Sequence, residues 1–202
     1  FNKIAQSVTT QILSHLQKKA KDEPEKYAEF WREHGRVFKL GYTDFVNHDK
    51  YIDLLRFNSS SNEDEKGLTS FSEYALRMKA DQKEIYYAIG NSRPAIDLDP
   101  HLEIFKAKGI EVLYLYDPID EFVISSIRKY KDFDIKNVES ADLKKIESFS
   151  DVKEKKDEAQ KLDKTDEKHF DSLLGKMKNI LGDKVIDVKE SKRLSQSAAC
   201  LV

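Results

Sequence analysis

The residues that could do chemistry are few, and their spacing does not bring them together. Ser126-Ile127-Arg128-Lys129 has the Ser-x-x-Lys spacing with which some acyl-transfer enzymes set a hydroxyl nucleophile beside a lysine, but the companion motifs of that chemistry are missing. Asp117, Asp120 and Glu121 could be paired carboxylates for acid–base work. All three also fall where the positive end of a helix dipole favours negative charge, and that structural role accounts for them. Asp97 and Asp99 flank Leu98 ahead of Pro100, which is turn chemistry. The histidines, His15, His34, His48, His101 and His169, never stand at metal-ligand spacing, and His101 opens a helix, where capping or plain exposure explains it. There is no glycine-rich phosphate loop, no HExxH and no paired CxxC. Cys200, the single cysteine, reads as a small apolar side chain in a strand; it excludes an intrachain disulfide and points to a reducing, cytoplasmic compartment. Residue chemistry alone therefore names no catalytic, cofactor-binding or metal-binding residue and favours an interaction module over an enzyme.

The elements around these residues are easier to read. Ile85–Ile89 and Val112–Tyr116 are rich in β-branched and aromatic residues and are closed by Gly90 and by Asp117-Pro118, the marks of strands. A helical stretch from Pro100 to Lys108, ending at Gly109, lies between them, and a strand–helix–strand order with a crossover of this length implies parallel pairing. Asp117 as N-cap and Pro118 at the first helical position start a helix that runs to Tyr130. Its apolar arc holds Ile119, Phe122, Val123, Ile127 and Tyr130, with Ser126 as a small buried residue inside the arc and Ile124 exposed outside it. Phe133, Ile135 and Val138 alternate with polar residues as a further strand at the sheet edge.

Upstream, Phe1, Ile4, Ala5, Val8, Ile12, Leu13 and Leu16 recur at helical spacing. A second helix starts at Asp22-Glu23-Pro24, carries Tyr27, Phe30 and Trp31 as core aromatics, and is expected to end at Gly35. A third, broken near Gly41 and Asn47, passes Phe45, Tyr51, Leu54 and Leu55, so a small helical bundle is expected. Ser59–Gly67 reads as a polar surface loop with nothing to bury. Ser70, with Glu73 three residues on, is a capping-box candidate for the helix of Phe71, Tyr74, Ala75 and Met78. Glu147–Lys168 is a solvated helix or a linker. Beyond it, Phe170, Leu173, Leu174, Met177, Ile180 and Leu181 mark a helix stopped at Gly182, followed by strands at Val185–Val188 and Ala198–Val202.

The bulk numbers exclude several classes. Of 202 residues, 39% are apolar, enough to bury a core; 36% are charged with a net charge of only −2, so basic charge is not concentrated as a nucleic-acid binder requires. No apolar run reaches the roughly 20 residues that span a bilayer, and the start lacks a signal-peptide layout. Phe1 in place of methionine and the abrupt apolar end read as cuts through a longer protein.

Several blocks closely resemble the middle segment of the ninety-kilodalton heat-shock chaperone family. These are Gly67-Leu68-Thr69-Ser70-Phe71-Ser72-Glu73-Tyr74, Arg77-Met78-Lys79, Gln82 to Tyr87 with Gly90, Gly109 to Tyr114, and Asp117-Pro118-Ile119-Asp120-Glu121. Leu181 to Val185, Val188 and Ser191-Lys192-Arg193-Leu194 are similar to the start of that family's C-terminal domain. The resemblance implies an α/β fold: a small three-layer α/β unit with a mostly parallel sheet, preceded by a small helical bundle and followed by the start of an α+β C-terminal domain. The expected divisions are residues 1–58 for the bundle, 59–145 for the α/β unit, 146–168 for the charged helix or linker, and 169–202 for the beginning of the C-terminal domain. The resemblance also implies an ATP-dependent chaperone whose ATP and magnesium are bound by an N-terminal ATPase domain outside this chain. The arginine of the family's middle segment that reaches the ATP phosphates would lie upstream of Phe1. Expected partners are unfolded or partly folded clients, the N-terminal ATPase domain, and a second copy in a homodimer, with no nucleic acid and no membrane. Client-contact candidates are Glu121, Phe122, Ser125 and the nearby Ile124, with Phe122 either on a contact surface or at the edge of the core. The alternative is a structural lever between ATPase and dimerisation domains, hinged near the Ser59–Gly67 loop and the charged stretch after Lys145.

Overall fold

The structure, a computed structural model, describes residues 2–44, 46–150 and 164–201. The expected positions of Phe1, Phe45, Val202 and most of Glu147–Lys168 lie outside the described residues. Helices α1 (Asn2–Asp22), α2 (Pro24–Lys39) and α3 (His48–Leu54) form the bundle, with a 3-10 turn at Leu40–Thr43 between α2 and α3. Tyr27 and Trp31 of α2 are buried, Trp31 meets Phe38 edge-on at 5.7 Å, and Phe38 stacks on Tyr51 at 5.5 Å. The Tyr27 hydroxyl donates to the Leu54 carbonyl at 2.6 Å, which satisfies the polar atom this ring brings inside.

Two expectations fail here for packing reasons. Helix α2 continues a full turn past Gly35, because that glycine is a close-approach position and not a stop: a Cβ there would sit 2.7 Å from the Trp31 ring. On α1, only Leu13 and Leu16 of the predicted stripe are buried, while Ile4, Val8 and Ile12 form an exposed row.

The strands follow as β1 (Asn58–Ser59), β2 (Glu84–Ile89), β3 (Val112–Leu115), β4 (Lys129–Tyr130) and β5 (Phe133–Asn137), in the spatial order β1-β3-β2-β5-β4. β2 pairs in parallel with β3, Tyr86 opposite Val112, and with β5, Ile85 opposite Ile135. The two-residue strands β1 and β4 close the edges in antiparallel fashion, so β5 is not the edge strand the sequence suggested.

Side-chain alternation splits the core in two. Ile85, Leu113, Leu115 and Ile135 face the bundle, with α4 (Phe71–Arg77) and α7 (Asp120–Ile127). Tyr86, Ala88, Val112 and Tyr114 face the crossover helices α5 (Arg93–Asp97) and α6 (Glu103–Lys108) and, further on, α8 (Leu143–Glu147). Three layers result, as expected. Fully burying side chains such as Phe71, Phe105 or Leu113 contributes on the order of 2 kcal/mol each. Gly109 ends α6 in the left-handed conformation at φ 60°.

Polar side chains lock the sheet to its surroundings. Ser70 caps α4 and Glu73 reaches back to it, completing the capping box. Glu111 is gripped by Arg77 through two bonds of 2.8 Å and accepts from the Ser59 hydroxyl at 2.6 Å. Ser59–Gly67 is not a free loop: Ser59 is buried, Asn58 donates to the carbonyls of Asp64 and Gly67 at 2.8 Å, and Arg93 donates to the carbonyl of Asn62 at 2.6 Å. These bonds fasten the segment to the α/β unit beside β3.

Helix α9 (Lys164–Leu181) ends at Gly182, where φ is +56° and the Lys178 ammonium takes the carbonyls of Gly182 and Val185 at 2.8 and 3.0 Å. Residues 185–201 form no strand, contrary to expectation, and Ile186 projects into solvent. A strand needs a neighbour for its ladder, and the described residues place none beside this tail. Cys200 is correspondingly half-buried in irregular chain.

Candidate functional site

Helix α7 shows how the site is built. Its buried positions are Asp120, Val123, Ile124 and Ile127, at i, i+3, i+4 and i+7. Counting Asp120 as part of the buried stripe moves Ile124 into it and Phe122 out of it. Ile124 is thus 4% exposed and Phe122 59% exposed, the reverse of the expected arrangement. The candidate Ile124 is core and cannot touch a partner; Glu121, Phe122 and Ser125 share the outer face. Ser126, expected inside, is half-buried and donates its hydroxyl back to the Val123 carbonyl at 2.7 Å. The helix starts at Asp120 and not at Pro118: Asp117 through Ile119 form a turn, in which the Asp120 carboxylate accepts from the Asp117 N–H at 3.2 Å.

Asp120 faces inward because α2 supplies a partner. The Lys39 ammonium, also buried, pairs with its carboxylate and lies 5.2 Å from the centre of the Phe57 ring. Burial holds the Asp120 carboxyl above the usual range despite the opposing pull of Lys39. The Tyr51 hydroxyl donates to the Lys39 carbonyl at 2.6 Å and fixes the end of α2. The pair joins bundle to α/β unit, and this sets the ends of α2 and α7 side by side.

Above the pair opens a cavity of about 380 Å³ lined by Val37, Leu40, Pro118, Ile119 and Phe122, with Arg36 and Asp117 on its rim. Val37 is 70% exposed and Leu40 57%, so with Phe122 three large apolar side chains, from α2, the 3-10 turn after it and α7, stand uncovered around one groove. Tyr42 approaches Phe122 with ring centres 6.5 Å apart. The rim pair Arg36–Asp117, at 3.7 Å, leaves the groove without a dominant charge. Such a surface recognises apolar side chains by burial and offers no group for bond-making chemistry.

A second cavity of about 450 Å³ beside Ser60, Arg77, Lys106, Ile110, Glu111 and Tyr114 has a mixed lining, and its buried carboxylate, Glu111, is neutralised by Arg77. Among the described residues no three histidine, cysteine, aspartate or glutamate side chains gather as for a metal ion, and no helix is long and apolar enough to cross a membrane. His101, for which capping or plain exposure is expected, is not exposed: its Nδ1 lies 2.8 Å from Asp99 and its Nε2 2.9 Å from the Leu201 carbonyl. Asp99 caps the 3-10 turn at Pro100–Leu102, as turn chemistry requires, and Asp97 accepts from the Tyr114 hydroxyl at 2.8 Å.

The family model described as Hsp90 protein matches residues 1–202, the whole chain. The chain belongs to the Hsp90 family. Among similar members, the chaperone protein HtpG of Oleidesulfovibrio alaskensis is 52% identical over 98% of this chain, and that of Nitratidesulfovibrio vulgaris 48% identical over 99%. The chain spans 31% of the length of each. Among solved structures, the middle domain of a putative heat shock protein of Plasmodium falciparum superposes with a TM-score of 0.64 at 30% identity, covering 69% of this chain and 58% of that one. The α/β unit with its bundle is therefore Hsp90 middle-domain architecture. The groove needed the Lys39–Asp120 pairing to be seen; Val37 and Leu40 carry no sequence signal beyond being apolar residues on the outer side of α2 and the turn after it.

Proposed function

We propose that this chain is part of an ATP-dependent chaperone and contributes a contact surface for unfolded or partly folded clients at the groove of Val37, Leu40 and Phe122, with Glu121 and Ser125 beside it. The observation that supports this reading is the exposure of those three apolar side chains around one open groove between α7 and the braced end of α2 with the turn after it. Rigid apolar anchors that need no rearrangement suit weak, repeated contact with many sequences. On this reading ATP and magnesium binding and homodimerisation would belong to parts of a cytoplasmic protein outside the segment that this chain spans. Residues 1–58 and 59–145 would act as one braced body, with 146–168 as the connection and 169–202 as the beginning of the next domain.

Phe122→Ser in the full-length protein is expected to weaken binding of an unfolded client by on the order of tenfold, the loss of one well-packed aromatic anchor. Unchanged client binding, with the fold intact, would remove the groove from the contact surface. The lever reading predicts instead that flexible residues inserted after Glu147 uncouple ATP turnover from client release while client affinity stays the same.

A further inference from the structure

Residues 191–201 lie against the crossover helices and are held there by one side chain above all. The Glu103 carboxylate, at the start of α6, accepts from three consecutive backbone N–H groups, those of Ser195, Gln196 at 2.8 Å and Ser197 at 2.9 Å, and from the Ser195 hydroxyl at 3.2 Å. Successive N–H groups converging on an anion form a concave nest that favours negative charge, and the nest here is filled by the protein's own carboxylate. One turn away, Nε2 of His101 meets the Leu201 carbonyl. Arg193 is buried beneath the same segment's turn, with Nε and Nη1 lacking a hydrogen-bond partner. No strand ladder and little apolar burial add to these fastenings: Ser195, Gln196, Ala198, Ala199 and Leu201 are all exposed.

We propose that residues 191–201 are a releasable strap that fastens the module of α9 to the α/β unit through Glu103, so that this non-covalent clasp, and not the lysine- and glutamate-rich connection before α9, couples the two. The described chain leaves the α/β unit after α8 and meets it again at the strap, where Glu103 and His101 hold residues 195–201. Opening the clasp frees the α9 module without disturbing the sheet, because Glu103 belongs to the half-exposed start of a helix and not to the core. Burial raises the carboxyl, but the hydrogen bonds from Ser197, Gln196 and Ser195 outweigh it and lower the group to about 2, so the carboxylate that the three N–H groups meet is charged throughout the neutral range. The proposal stands apart from the client-contact reading, since no groove residue takes part.

Hydrogen exchange on the 202-residue chain at neutral pH tests it. Glu103→Gln keeps the shape and removes the charge; the amides of Ser195, Gln196 and Ser197 should then exchange on the order of tenfold faster, as loss of a charge-assisted bond requires, while β2 and β3 keep their protection. Gln196→Pro deletes one donor on an exposed residue far from the core and should release the strap in the same way, which covers the case in which Glu103→Gln perturbs α6. A flexible insertion after Glu147 should leave the three amides as protected as before. Unchanged exchange at 195–197 in Glu103→Gln together with unchanged exchange at 195 and 197 in Gln196→Pro, or release of the strap by the insertion alone, would overturn the proposal.

Discussion

The two faces of the sheet are joined to their neighbours by opposite means. On the bundle side, Lys39 and Asp120 form a buried pair inside a layer of aromatic and aliphatic side chains, and the joint cannot open without exposing both. On the crossover side, the tail is held by a carboxylate at the surface and a handful of hydrogen bonds. Burial makes a permanent brace and surface charge a detachable one, because a broken surface bond is replaced by water whereas a broken buried pair leaves an uncompensated charge.

The largest expected effect breaks the brace. Asp120→Ala strands the Lys39 ammonium and should cost about 3–5 kcal/mol in urea unfolding. Replacing both, Lys39→Met with Asp120→Leu, should restore stability to near or above the starting value, since the pair's own desolvation offsets most of its attraction. Next comes the inner face of α7: Ile124→Ala should cost about 2–4 kcal/mol. Ser70→Ala, which removes the α4 cap, should cost about 1 kcal/mol by the same measurement. On the outer face of α7, Phe122→Ser should change stability by less than about 0.5 kcal/mol, and a large loss would show that Phe122 packs after all.

The smallest global effect sharpens the comparison by pH. Glu103 has a folded pKa depressed to about 2, so its contribution is present above the ordinary carboxylate value near 4.5 and is lost as pH falls toward 2. Asp120 has the opposite sign. Its folded pKa is raised, so its contribution is full below the ordinary value of 3.8 and declines as pH rises through the folded pKa. Amide exchange followed from pH 6 to pH 2.5 should show the strap at 195–197 loosening while α7 stays protected.

Much of this was legible in the chain. The capping box at Ser70 and Glu73 is a local device, and the strands at 84–89 and 112–115 announce themselves by composition. What was not legible depends on partners distant in sequence. Asn58 and Ser59 look like loop until β3 pairs with them, Asp120 looks like a helix-dipole residue until Lys39 meets it, and Gly35 looks like a stop until Trp31 fills the space beside it. The segment after α9 failed in the opposite direction: Val185 to Val188 has strand composition but no described partner for its ladder.

The short strands at the sheet's borders bear on the proposed work of the molecule. A sheet that meets unfolded chains risks recruiting them edge to edge through its free N–H and C=O groups. Here each border is a strand of two residues running antiparallel to the parallel centre, with Lys129 exposed on one side and the Arg93-stapled turn over the other. Neither border is long enough to template a foreign strand. A guest chain at the proposed groove would then be held by its side chains alone, and its backbone would stay free to fold.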